Sequence, residues 1–205
     1  MSNPMTRLLE SRASITRYQT DLPVSDAQVE ELVRCATLAP SAYNLQNWQF
    51  IAVRSDTAKN QLQQIAYGQP QVSDAPVTFV VCGTLEAHKG LAESLQPSVD
   101  AGIINENLQN SWVSAATMSH QNNAQLQRDE AFRSASLAAM TLMLAAQGMG
   151  LATGAMSGFD TELLSDTFEL SPEEVPVMLI TAGYPKENNW PQKRRKPLSD
   201  VMRTL

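Results

Sequence analysis

Two groups of residues near opposite ends of the 205-residue chain carry the types that grip an anion. Arg12-Ala13-Ser14-Ile15-Thr16-Arg17 offers guanidinium forks beside hydroxyls, and Lys193-Arg194-Arg195-Lys196 is the one dense basic cluster. Arginine presents a planar set of donors matched to phosphate, and hydroxyl or backbone N–H groups complete such a shell. Between them lies the uncharged tract Pro40-Ser41-Ala42-Tyr43-Asn44-Leu45-Gln46-Asn47-Trp48-Gln49-Phe50. Asn44, with Gln69 and Gln71 further on, can both donate and accept, which suits the edge of a heterocycle bearing carbonyls and ring nitrogens. Together these groups fit a phosphorylated heterocyclic ligand. Composition alone favours a plainer reading, in which Arg12 and Arg195 are solvated charges and Asn44 caps a turn.

Other chemistries find little support. Gly148-Met149-Gly150-Leu151-Ala152-Thr153-Gly154 resembles a dinucleotide fingerprint, but it follows a helical pattern and enters an extended one, the reverse of the order a pyrophosphate site requires. A helix C-cap and a tight entry to a strand fit better. His88 and His120 fall in a polar stretch without a nucleophile elbow and are expected to be lone surface histidines. Cys35 and Cys82 match no zinc spacing and read as small buried hydrophobes in a reducing compartment. With 15 Lys and Arg against 21 Asp and Glu, the net charge of -6 provides no field to attract nucleic acid. The start, MSNPMTRLLESR, lacks the basic and then apolar pattern of a secretory leader, so a cytoplasmic protein is expected. Ser134 to Phe159 is free of charge over a membrane-spanning length, but its glycines cut the helix short and a buried helix is the better reading.

The elements that must position these residues follow from period and punctuation. Pro4 to Ser11 reads as a short helix with Pro in its first turn. Ser25 and Gln28 have capping-box spacing, and Val29, Leu32, Val33 and Ala36 continue as one apolar face, with the helix stopping at Pro40. Trp48 to Val53 is a strand, Asp56 to Ala66 a helix, and Val77 to Cys82 a strand buried on both faces. Glu130 to Gln147 is a strong helix whose alanines suit close enclosure. Thr161 to Leu170 is a further helix, and Val175 to Ala182 a strand in which Pro176 favours an edge or a strand start. This alternation, without a regular βαβ rhythm, points to an α+β sandwich with helices flanking one central sheet.

Four blocks in order resemble the FMN-dependent nitroreductases. Arg12 to Tyr18 is similar to that family's N-terminal RRSxRxF block and Ala39 to Phe50 to its APSxxNxQPWxF block. Gly150 to Asp160 is similar to GLGTxWIGGFD, and Arg195 to Leu198 to the terminal basic-Pro-Leu block. The resemblance runs from Leu8 to the C-terminus and is weakest from 85 to 128. It implies an α+β three-layer sandwich, a central mixed sheet flanked by helices, one domain over 1–205 with a variable helical excursion at about 85–128, and an intertwined homodimer with FMN at the subunit interface. It implies that Arg12, Ser14 and the Ala13 backbone meet the ribityl phosphate side with Lys193 and Arg195, and that Thr16 belongs to the same block. Pro40, Ser41 and Asn44 would reach the neighbour's cofactor. Met156, Ser157 and Gly158 would lie against the isoalloxazine, and Gln69 and Gln71 would bond the ring's polar edge. Ala13 and Thr16 stand where the family has basic residues, Asn47 where it has Pro, Ala152 where it has Gly, and Ala155 where it has an aromatic. The implied activity is transfer of electrons from NADH or NADPH to nitroaromatic or quinone acceptors by a ping-pong mechanism. The alternative is a flavin- or small-ligand-binding protein without efficient turnover. Tyr43, Trp112 and Phe132 are candidate pocket walls, each more readily explained as packing.

Overall fold

The computed structural model describes residues 3 to 205. Helix α1 (Pro4–Ser11) begins at Asn3, whose side chain accepts from the Met5 N–H. Helix α2 (Asp26–Ala36) has the expected box: Ser25 accepts from the Gln28 backbone while the Gln28 side chain accepts from the Ser25 backbone. Strand β1 (Trp48–Val53) leads to α3 (Asp56–Ile65), the short α4 (Pro70–Asp74) and β2 (Val77–Thr84). Then come α5 (Leu91–Asp100), α6 (Glu106–His120) and α7 (Ala124–Gly148), followed by β3 (Ala152–Met156), α8 (Thr161–Thr167), β4 (Glu174–Gly183) and α9 (Leu198–Val201).

The four strands lie in the order β1-β2-β4-β3. All three pairings are antiparallel, so the sheet expected as mixed has, among the described residues, a parallel contact only in the isolated bridge of Ser14 to Thr153. Alternation along β2 sends Val77, Phe79 and Val81 to one face and Val80 and Cys82 to the other. The first face packs on α2 and α7, and the second on α3, α4 and α8 through Leu62, Ile65, Val72 and Leu164. Three layers result, helices on both sides of one sheet. The alanines of α7 allow the helix to approach closely, and at Gly83 contact reaches the backbone: a Cβ there would stand 2.5 Å from the Ala131 carbonyl oxygen.

Several elements differ from expectation for identifiable reasons. Pro176 lies in β4, an interior strand, rather than on an edge. It sits at a register shift opposite Cys82, and β3 pairs with β4 only from Leu179 onward, so its β3 side is open where the N–H is missing. Helix α7 runs 25 residues and begins before Glu130, because Asn123 caps it and a polar first turn hides the start. His88 and His120 are buried, not surface residues, and their rings stack. Cys82 is buried, and that burial pushes its thiol up to about 12, whereas Cys35 is only half-buried on α2 beside Glu31. Among the described residues no helix is long and apolar enough to cross a membrane.

Candidate functional site

The two basic groups meet although they begin and end the chain. Past α1 the backbone runs beside β3: Ser14 bridges Thr153, and the Ile15 N–H donates to the Thr153 carbonyl at 3.0 Å. Gly154 makes this possible, since a Cβ there would lie 2.5 Å from the Ile15 carbonyl oxygen. Two amides then strap the C-terminal arm to the same segment. The Asn189 carbonyl oxygen accepts from the backbone N–H of Thr16 and Arg17, and its amide nitrogen donates to the Arg17 carbonyl. Gln192 donates to the carbonyls of Leu9 and Arg12, the latter at 2.8 Å. Lys193 follows immediately, and Arg195 donates to its carbonyl. Arg12 and Ala13 are half-buried; Ser14, Thr16, Lys193 and Arg195 are exposed. Asn189 and Gln192 carry the assembly yet have no period or motif around them. The one sequence signal is a run of amides just before the basic cluster.

Beneath this anchor Tyr18 is buried. The Tyr18 hydroxyl shares a 2.6 Å hydrogen bond with Thr181 Oγ1 and lies 3.2 Å from the Thr181 carbonyl, and Thr181 Oγ1 is in turn 3.2 Å from the Gly154 carbonyl. Burial drives the Tyr18 pKa upward, against a smaller opposing pull from the Thr181 bond. The phenol is a neutral structural group.

At the other end of β3, Met156, Ser157 and Gly158 meet Gln69 and Gln71. A backbone carbonyl can only accept, so the Gly158 oxygen, 3.0 Å away, fixes the Gln69 amide with its nitrogen forward. The Gln69 oxygen then receives the Gln71 nitrogen at 2.9 Å, which also lies 3.4 Å from the Met156 sulfur. The polarity of this relay leaves the Gln71 carbonyl oxygen as the unclaimed acceptor. Asp160 is tethered separately through its N–H to the Ile65 carbonyl. Anchor and relay thus stand at the two ends of one strand. Thr153 and Gly158 are separated by about 17 Å at ~3.3 Å per residue of extended chain.

The tract lies elsewhere. Residues 40–47 lead into β1, the edge strand opposite β3, three strand spacings or about 14 Å across the sheet at ~4.8 Å each. Tyr43, Asn44 and Gln46 all have positive φ (51°, 59° and 49°), at a cost of about 1–3 kcal/mol each. Gln46 N–H bonds the Ser41 hydroxyl, and Leu45 is buried against α5 and α6. Pro40, Ser41 and Ala42 form one wall of an open groove of about 360 Å³, with Glu130, Arg133, Ser134 and Leu137 of α7 as the other. Each edge also carries a buried polar atom without a partner among the described residues, Asn47 Oδ1 by the tract and Thr153 Oγ1 on β3. Tyr43 and Trp112 pack in a cluster with Leu91 and Leu95, and Phe132 packs on the main core with Arg128 over its face at 4.7 Å. One chain therefore assembles Arg12, Ala13, Ser14, Thr16, Lys193 and Arg195 with Gln69, Gln71, Met156, Ser157 and Gly158 along a single edge. It leaves Pro40, Ser41 and Asn44 at the other.

With this geometry, comparison with known proteins is informative. The nitroreductase family model matches residues 9–184, and the chain belongs to the nitroreductase family. It is 37% identical over 194 residues to the Bacillus subtilis protein named "Putative NAD(P)H nitroreductase YodC", covering 95% of each chain. To a Thermus thermophilus NADH dehydrogenase it is 32% identical over 192 residues, covering 93% of this chain and 91% of that one. Among solved structures, a "putative nitroreductase in complex with FMN" from Exiguobacterium sibiricum superposes with a TM-score of 0.91 at 25% identity, over 100% of this chain and 99% of that one.

Proposed function

We propose that two copies of this chain form an NAD(P)H-dependent FMN oxidoreductase whose cofactor lies in a cleft shared between them. The observation that carries this is the division of the site residues between opposite edges of the sheet. A ligand held along β3 of one protomer is out of reach of that protomer's own tract, and a two-fold partner can supply the missing wall.

The donor set fits FMN. Arg12, Lys193 and Arg195 would grip the phosphate, with the Ser14 and Thr16 hydroxyls and the Ala13 backbone beside them. The Gln71 carbonyl, turned outward by Gln69, would accept a hydrogen bond from the polar edge of the ring. Met156, Ser157 and Gly158 would lie along the ring, where the absence of a side chain at Gly158 allows close approach. The partner's Pro40, Ser41 and Asn44 would cover the opposite side, uncharged and small enough to exclude water without bulk. Flavin, when bound, supplies the hydride and electron transfer chemistry; the protein positions reactants and keeps competing reactions out. One cleft serves both reactants in turn, so oxidised nicotinamide leaves before a flat nitroaromatic or quinone acceptor enters.

The absorption spectrum of the purified protein, followed by NAD(P)H oxidation with menadione, tests this. A yellow protein that turns over supports it. Bound FMN that stays oxidised under excess NADH and NADPH leaves binding without turnover, and a colourless protein that takes up no added FMN overturns the cofactor.

A further inference from the structure

The only two imidazoles of the chain meet beneath the strained turn of the tract. His88 lies in the short 3-10 turn Ala87–Gly90 and His120 ends α6; each is 5% exposed, and the rings stack with centroids 5.8 Å apart at 27°. Tyr43 closes the group, its ring edge-on to His120 at 6.4 Å and 75°. Leu45, Leu91, Leu95 and Ala116 surround this part of the tract.

His120 makes its hydrogen-bond contacts through one ring nitrogen: Nδ1 is 3.0 Å from the Ala116 carbonyl and 2.9 Å from the Ser119 hydroxyl, while Nε2 lies on the other side of the ring. That Nε2 is buried with no partner among the described residues, and so is Nδ1 of His88. A neutral ring merely forgoes a hydrogen bond there. A protonated ring places a cation in an apolar cluster against a second imidazole. Glu86 and Lys89, on the same turn as His88, act on it in opposite senses and pair with each other. From α6 it faces His120; Tyr43, facing His120 from the tract, is an uncharged ring, and Gln127 of α7 donates to the His120 carbonyl. None of these groups is positioned as a dedicated counter-ion.

A turn with three non-glycine residues at positive φ keeps its shape only where its surroundings over-determine it. Here they are a few bonds within the tract, the buried Leu45, and Tyr43 seated on the imidazoles. We propose that His88 and His120 form a pH-operated latch: neutral, they seat Tyr43 and hold the 41–46 turn, and on taking up a proton in weakly acid solution the pair parts and the turn is released. The latch acts on the chain itself and needs no cofactor. Where the tract covers a partner's flavin, as proposed above, acid also loosens that cofactor.

Two measurements on the full-length protein test the latch. With two histidines, each imidazole gives one Cε1–H signal by NMR. That of His88 should titrate with a midpoint below the ~6.5 of a free imidazole, and the Tyr43 ring signals should move with the same midpoint. Hydrogen exchange, corrected for intrinsic rate, should show about threefold or more loss of protection at 41–46 between pH 7.5 and 5.5, a loss absent in His88→Gln/His120→Gln. Ordinary midpoints with unmoved Tyr43 signals, or equal protection at both pH values, would overturn it. If the double variant fails to fold, the wild-type titration alone decides. None of these readouts depends on FMN, so failure of the latch and failure of the cofactor assignment are separable.

Discussion

Gly154→Ala isolates the contact that brings the N-terminal anchor to β3. The new methyl carbon would stand 2.5 Å from the Ile15 carbonyl oxygen and 2.9 Å from Thr181 Oγ1. The first neighbour is backbone and cannot rotate aside, so the 14–15 segment must lift away. Lifting breaks the Ile15 N–H bond to Thr153, a loss of about 1–3 kcal/mol if the groups stay buried, and overpacking adds about 1–3 kcal/mol. A total of about 2–6 kcal/mol, at about 2–4 °C per kcal/mol for a chain of this size, lowers Tm by about 4–24 °C. Thermal unfolding of the FMN-free protein followed by circular dichroism reads this directly. Gly158→Ala is the matched control. Its Cβ would meet only the Gln69 amide nitrogen at 3.5 Å, an ordinary contact, so Tm should stay within about 1 °C while FMN affinity falls. A Gly154→Ala protein as stable as wild type would refute the claim that this close approach anchors the segment.

Other consequences can be measured separately. Arg12→Ala and Arg195→Ala should each weaken FMN binding about 10- to 100-fold and leave riboflavin binding nearly unchanged, since riboflavin lacks the phosphate; equal losses for both ligands would remove the proposed grip. Tyr18→Phe deletes the buried hydroxyl bonded to Thr181 and should cost about 1–2 kcal/mol, read as a lower urea midpoint at unchanged slope. Burial, and secondly the proximity of the His120 imidazole, lowers the pKa of His88, so the unfolded chain binds that proton more readily than the folded one. The corresponding stability is complete above the unfolded value of ~6.5 and is lost as pH falls below it. The urea midpoint should therefore drop between pH 7.5 and 5.5, and His88→Gln should flatten the drop.

Much of the architecture was legible because local period and tertiary burial agree. Trp48 to Val53 is a short, mostly apolar run and is β1; Ser25 and Gln28 have capping-box spacing and make the box; the glycines after Gln147 end α7 and admit β3. The grouping of Arg12 with Lys193 and Arg195 at one place was readable from residue chemistry and the four-block resemblance, but the straps that accomplish it were not. Asn189 and Gln192 act through single amides, and a lone amide has no pattern until its partner is placed. Pro176 misled because its strand changes character along its length, interior from Leu179 but open on the β3 side at the proline. The histidines misled because their neighbours in sequence are polar. Their burial comes from α6 and the turn before α5 folding under the tract, a contact that no local window contains.

The shared cleft itself can be tested by mixing two damaged proteins. One carries Arg12→Ala with Arg195→Ala on the β3 edge, and the other carries Asn44→Ala with Ser41→Ala on the tract; each alone binds FMN poorly. Random re-association makes half of the dimers hybrids, and each hybrid has one cleft built from two undamaged halves, so about a quarter of all clefts should regain wild-type FMN affinity. Recovery to that level is the predicted result, and no recovery after demonstrated subunit exchange would contradict a cofactor held between two chains.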